Sequence, residues 1–140
     1  MSSDVRHAAD RIHSASIHVL RRVSREDAAA GVSAARLSAL SVLVFGGART
    51  VSELAAAERV KVPTMSRLVA AMEAEGLVRR VPHGSDARAV VLHATAKGRR
   101  VLGRARELRL SLLESLLAGA SPREVEVVRE AAEIIDRLVR

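Results

Sequence analysis

The segment 50–98 constrains this chain most. It sets two short helical patterns, a strand-like run, a Gly-containing turn and a second strand-like run in unbroken succession. Thr50-Val51-Ser52-Glu53 is a helix start: a hydroxyl at the cap and a carboxylate three residues on can satisfy two orphan backbone donors reciprocally. The next helix opens at Pro63, where a missing N–H costs nothing, and stops at Gly76. Only the residues around Arg59 to Val62 lie between them, the spacing of a helix-turn-helix. The runs 77–81 and 89–94 flank His83-Gly84-Ser85-Asp86-Ala87-Arg88, which reads as a hairpin tip. A helix-turn-helix followed by a basic hairpin is a winged helix, an architecture that points to duplex DNA.

The periodicity of the second helix sorts its residues. Met65, Leu68, Val69 and Met72 fall at i, i+3, i+4 and i+7, one apolar stripe for the core. The opposite face holds Pro63, Arg67, Ala70 and Ala74, with Thr64 and Ser66 on its flanks. Small residues let a helix sit deep in a major groove, and Arg67 suits a bidentate contact to guanine. An ordinary amphipathic surface helix has the same period. The capped helix before it and the hairpin after it are what favour DNA.

Charge is clustered. Residues 61–106 hold ten basic side chains against three acidic ones, so this window alone carries +7, the formal net charge of the whole chain. A basic patch on one unit is the electrostatic footprint of a nucleic-acid surface. Base stacking on aromatic platforms, the usual means of gripping single strands, is excluded by composition: Phe45 is the one aromatic residue, with no Trp or Tyr. Zero cysteines exclude disulfides and thiolate zinc sites. No apolar run reaches the roughly 18 residues a membrane span needs, and no apolar signal-peptide core opens the chain, so a cytoplasmic protein is expected.

Both ends are helical. Residues 4 to about 30 read as one long helix in which Val5, Ile12 and Val19 recur every seven residues, as do Ala9, Ser16 and Val23, a seam that wants a partner. Ser33 caps a helix carrying Leu37, Leu40 and Val44 that stops at Gly46-Gly47. Thr95 caps a long helix to about Leu117, with Val101, Ala105, Leu108, Leu112 and Leu116 on its apolar face. Ser121-Pro122-Arg123-Glu124 starts a last helix whose Val125, Val128, Ala132, Ile135 and Leu138 are expected to be buried. The predicted fold is mainly α with a small antiparallel β wing, in the order α-α-β-α-α-β-β-α-α. It is one domain over residues 1–140, with a winged lobe at about 33–98 between dimerising helices at about 4–31 and 99–139.

This order of elements resembles the MarR (multiple-antibiotic-resistance regulator) transcription factors over essentially the full length. The likeness rests on Ser52-Glu53-Leu54-Ala55, Pro63-Thr64-Met65-Ser66-Arg67, Glu75-Gly76-Leu77-Val78-Arg79-Arg80, Asp86-x-Arg88 and Thr95-x-x-Gly98. The resemblance implies a homodimeric regulator, usually a repressor, on a pseudo-palindromic operator. By it, Pro63, Thr64, Ser66 and Arg67 would enter the major groove, with Lys61, Arg79 and Arg80 as further DNA cations. Arg88 at the wing tip would enter the minor groove, held by Asp86. Three positions depart from the pattern: Lys61-Val62 stands where a capping Ser or Thr is frequent, Ala94 where Leu is common, and Ala87 where a second wing arginine is frequent.

Catalysis finds no support: Gly-rich phosphate loops, His-Glu-x-x-His and Gly-x-Ser-x-Gly are all missing, and no enzyme, cofactor or metal site is expected. His7, Arg11, Ser14 and His18 share one stripe of the first helix. That stripe is either a solvated face or, by family likeness, a place for a small aromatic or anionic effector, with His7, Arg11 and His18 as its ligands. The functional expectation is a site-specific regulator of transcription. The alternative is an architectural protein that coats DNA with little sequence preference.

Overall fold

The computed structural model describes residues 2–29, 31–84 and 86–140, and the side chains of these apart from Asp86, Ala87 and Arg88. Its elements are α1 (Ser3–Ala29), α2 (Ala34–Gly46), α3 (Val51–Ala57), α4 (Val62–Ala74), β1 (Val78–His83), β2 (Asp86–Ala94), α5 (Ala96–Leu117) and α6 (Pro122–Val139). The strand expected between α2 and α3 is a single residue, Arg49, bridged to Leu92 by backbone hydrogen bonds of 2.7 and 3.4 Å. It is that short because Thr50, the very next residue, already caps α3.

Four helices begin as their sequences dictate. Ser33, Thr50, Thr95 and Ser121 are extended N-caps whose hydroxyls accept from the N–H three residues on. At Ser121 the Glu124 carboxylate also accepts from the cap N–H, completing a capping box. At α4 the N-cap is Lys61, which makes no side-chain cap, and Pro63 sits in the first turn.

β1 and β2 pair antiparallel from Val78↔Ala94 to Pro82↔Val90, then slip so that His83 faces Asp86. Three residues of β2 are thus taken up opposite the step from Pro82 to His83, beside a proline with no N–H to extend the ladder. The hairpin is consequently longer, and its tip shorter, than the six-residue turn read from the sequence. The backbone of Asp86 and Arg88 belongs to β2 rather than to the turn.

The buried core is shared by α2, α3, α4, the wing and the first turns of α5. Leu37, Leu40 and Leu43 of α2 pack with Leu54 of α3, the Met65-Val69-Met72 stripe of α4, Leu77, Val78 and Leu92 of the wing, and Leu102 and Ala105 of α5. The ends behave otherwise. Leu108 and Leu116 of α5 are exposed although Ala105 is buried. In α6, Val125, Val128, Ala132, Ile135 and Leu138 are all exposed within the single chain, whose own elements do not supply the burial expected of this face. The reason is geometric: α6 makes no substantial packing contact with any other element of its own chain. Val5, Ile12 and Val19 of α1 are equally exposed. α1 is instead fastened near its C-terminal end, where Arg109 donates from Nε and Nη2 to the Asp27 carboxylate at 2.9 and 3.0 Å. Asp27 is 6% exposed, and a carboxylate buried that deeply needs such a partner.

Candidate nucleic-acid interface

The burial of α4 leaves one face free. Pro63, Thr64, Arg67, Ala70 and Ala74 are exposed, Lys61 is exposed just ahead of them, and Ser66 is half-buried on the flank. Arg67 is the single cation on a surface otherwise of small side chains, the shape and chemistry a major groove accepts. The wing stands beside it. Arg79 and Arg80 are both exposed on β1, but successive strand residues leave opposite faces, so the two cannot reach the same feature. Arg80 lies 3.4 Å from Glu73 and so leans on α4. Both side chains are about two-fifths exposed, and an ion pair that wet contributes little stability. The side chains of Asp86 and Arg88 lie outside the described residues.

The far end of α4 is clamped from two sides. Arg36 of α2 grips the Glu75 carboxylate with Nε at 2.8 Å from Oε2 and Nη2 at 2.6 Å from Oε1. These hydrogen bonds, more than the Coulomb attraction, hold the Glu75 carboxyl below the usual carboxylate range and push Arg36 up. From α5, Lys97 Nζ donates to the Glu75 carbonyl at 2.7 Å, and Thr95 Oγ1 donates to the Gly76 carbonyl at 2.6 Å. Gly98 permits this approach. A Cβ there would collide with the Leu77 carbonyl oxygen and stand 3.0 Å from Leu40. The direction of α4 is therefore referred to α2 and α5 together. Of this clamp the sequence offered only Thr95 as a cap and Glu75 and Gly98 as motif letters; nothing in it pairs Arg36 with Glu75.

A cavity of about 450 Å³ opens above the clamp, lined by Val32, Ser33, Arg36, Glu75, Lys97 and Val101 among others. His7, Arg11 and His18 are exposed on α1 and do not line it. A separate concavity on α1 is lined by Arg6, Ala9, Asp10 and His13. Among the described residues no cluster of His, Asp or Glu could hold a metal ion, and no single helix is long and apolar enough to cross a membrane.

A capped helix-turn-helix joined to a two-stranded hairpin defines a winged-helix protein. Comparison with known proteins narrows this further. Residues 30–89 match the MarR family. The chain is 34% identical over 139 residues to an uncharacterized HTH-type transcriptional regulator of Mycobacterium bovis, covering 99% of this chain and 96% of that one. It is 32% identical, over the same shares, to another from Mycobacterium leprae. In fold it is similar to a MarR family protein from Bacillus stearothermophilus, with a TM-score of 0.83 at 24% identity over 99% of this chain and 98% of the other. It is also similar to an S. aureus MepR mutant bound to an oligodeoxyribonucleotide, with a TM-score of 0.73 at 16% identity over 95% and 98%. The chain belongs to the MarR family of helix-turn-helix transcriptional regulators.

Proposed function

We propose that this protein is a homodimeric, sequence-specific repressor whose hold on a pseudo-palindromic DNA operator is relieved by a small-molecule effector. One observation carries the reading: outside the core that α2, α3, α4, the wing and the start of α5 share, the apolar residues of α1, α6 and the end of α5 stay exposed in the single chain. A second copy, meeting α1, α6 and the end of α5, would bury those faces and present two α4 helices to one duplex. In each half-site Pro63, Thr64, Ser66 and Arg67 read the major groove, while Lys61, Arg79 and Arg80 meet phosphates. Arg88 serves the minor groove, with Asp86 positioning it. His7, Arg11 and His18, sharing a stripe of α1, are our candidates for holding a small aromatic or anionic effector. The protein acts by binding rather than catalysis, and we place it in the cytoplasm with its DNA.

Enrichment of genomic duplex fragments on the immobilised protein tests this reading. A two-fold symmetric motif should emerge, its half-site centres about 10–10.5 bp apart or a multiple of that. Enrichment without a motif would favour the architectural alternative, to which the basic patch is equally suited.

A further inference from the structure

Among the described residues one helix-ending motif occurs three times. After α1, Gly31 N–H donates to Ala28 and Val32 N–H to Asp27; after α4, Gly76 N–H donates to Glu73 and Leu77 N–H to Met72. After α3, Arg59 N–H donates to Ala56 at 3.2 Å and Val60 N–H to Ala55 at 3.0 Å. These are the paired 5→2 and 6→1 hydrogen bonds that require a left-handed residue just past the helix end. Gly31 and Gly76 both have φ +75°, whereas Arg59 takes φ +54° and is the sole non-glycine with positive φ among the described residues. Space does not dictate the two glycines: a Cβ would meet nothing within 4 Å at Gly31 and only Lys97 Cδ at 3.7 Å at Gly76. They are there because a left-handed backbone strains any residue that carries a Cβ. At the helix-turn-helix junction the chain accepts that strain.

We infer that Arg59 is held in this unfavourable conformation because its guanidinium contacts a DNA phosphate, an inference that rests on the reading of α3 and α4 as the DNA-binding unit. Arg59 is exposed and has no ion-pair or hydrogen-bond partner for its side chain among the described residues. Its neighbour Glu58 is turned toward α2, accepting from Ser38 Oγ at 2.7 Å, and among the described residues makes no ion pair with Arg59. Its place also fits: in a helix-turn-helix the first helix crosses the DNA backbone while the second enters the groove, which sets their junction beside the phosphates. A planar fork of N–H donors suits a phosphate, and glycine would supply none. The left-handed residue thus orients the cation outward while its N–H and that of Val60 cap α3.

The distinguishing experiment pairs thermal melts with DNA titrations over a range of salt, for wild type, Arg59→Gly and Arg59→Lys. Two duplexes are used, an operator selected from genomic fragments and a random sequence. Relief of strain should raise the melting temperature of Arg59→Gly by about 2–4 °C. The same variant should bind both duplexes roughly 3–10-fold more weakly per protomer near 0.15 M salt, and its plot of log affinity against log salt should be shallower by about 0.9 per lost contact. Arg59→Lys should keep the wild-type slope and gain no stability. A more stable Arg59→Gly with wild-type affinity and slope would overturn the assignment, as would a loss confined to the operator, which would mean base reading. If wild type itself binds neither duplex, the DNA-binding reading falls and this contact with it, a result distinct from a wild-type-like glycine variant.

Discussion

Arg67 within α4 and Glu75 at its C-cap do opposite work. Arg67, alone among small residues on the outward face of α4, is free to make a directional contact. Replacing it with alanine should lower operator affinity by about 1–3 kcal/mol and relax preference at one or two base pairs. Competition titrations against single-base operator variants check this, and an equal loss on random DNA would move Arg67 to the phosphate contacts. Glu75 is instead held by Arg36, whose hydrogen bonds and charge lower its pKa, with Lys97 adding to the effect. A carboxyl with a folded pKa below its unfolded one stabilises the fold above the ordinary carboxylate range, and that contribution disappears as pH falls through the lowered value. Melting temperatures of wild type and Glu75→Gln should therefore differ near neutrality and converge in acid. The gap should be modest, since the Arg36 and Glu75 side chains are 27% and 42% exposed.

At the scale of elements, the contact between α5 and the wing depends on the missing side chain of Gly98. A methyl group there meets backbone rather than a yielding side chain, so Gly98→Ala should destabilise the lobe by about 1–3 kcal/mol or more in denaturant unfolding. A variant as stable as wild type would mean that the start of α5 can shift freely. Features of this kind separate what the chain announces from what it conceals. Caps at Ser33, Thr50, Thr95 and Ser121 and the Met65-Val69-Met72 stripe were legible, because cap and period are set within a few residues. The ion pairs Arg36–Glu75 and Arg109–Asp27 join residues 39 and 82 positions apart, and no local pattern encodes them. The slip at Pro82–His83 leaves no mark in the sequence, because the Gly-containing run 83–88 has the composition of a hairpin tip whether or not its last residues pair. Arg59 was invisible for a related reason, since a left-handed turn is ordinarily announced by glycine or asparagine.

The apolar seams of α1 and α6 were plain in the sequence, yet one chain cannot say against what they pack. Val125, Val128 and Ile135 are 40%, 47% and 37% exposed, and burying such a face is worth about 25 cal/mol per Å² of apolar surface removed from water. That is the driving force we assign to dimerisation. Deleting residues 125–140 should leave the lobe folded but monomeric in light scattering, and should abolish operator binding, because two half-sites are then no longer held in register. A truncated protein that stays dimeric would move the interface elsewhere. Whether the winged lobes read sequence or merely coat charge is measured directly by the ratio of affinities for the selected operator and a random duplex, at one fixed salt concentration. Sequence reading gives a ratio of about 10³ or more. A ratio near one would contradict it.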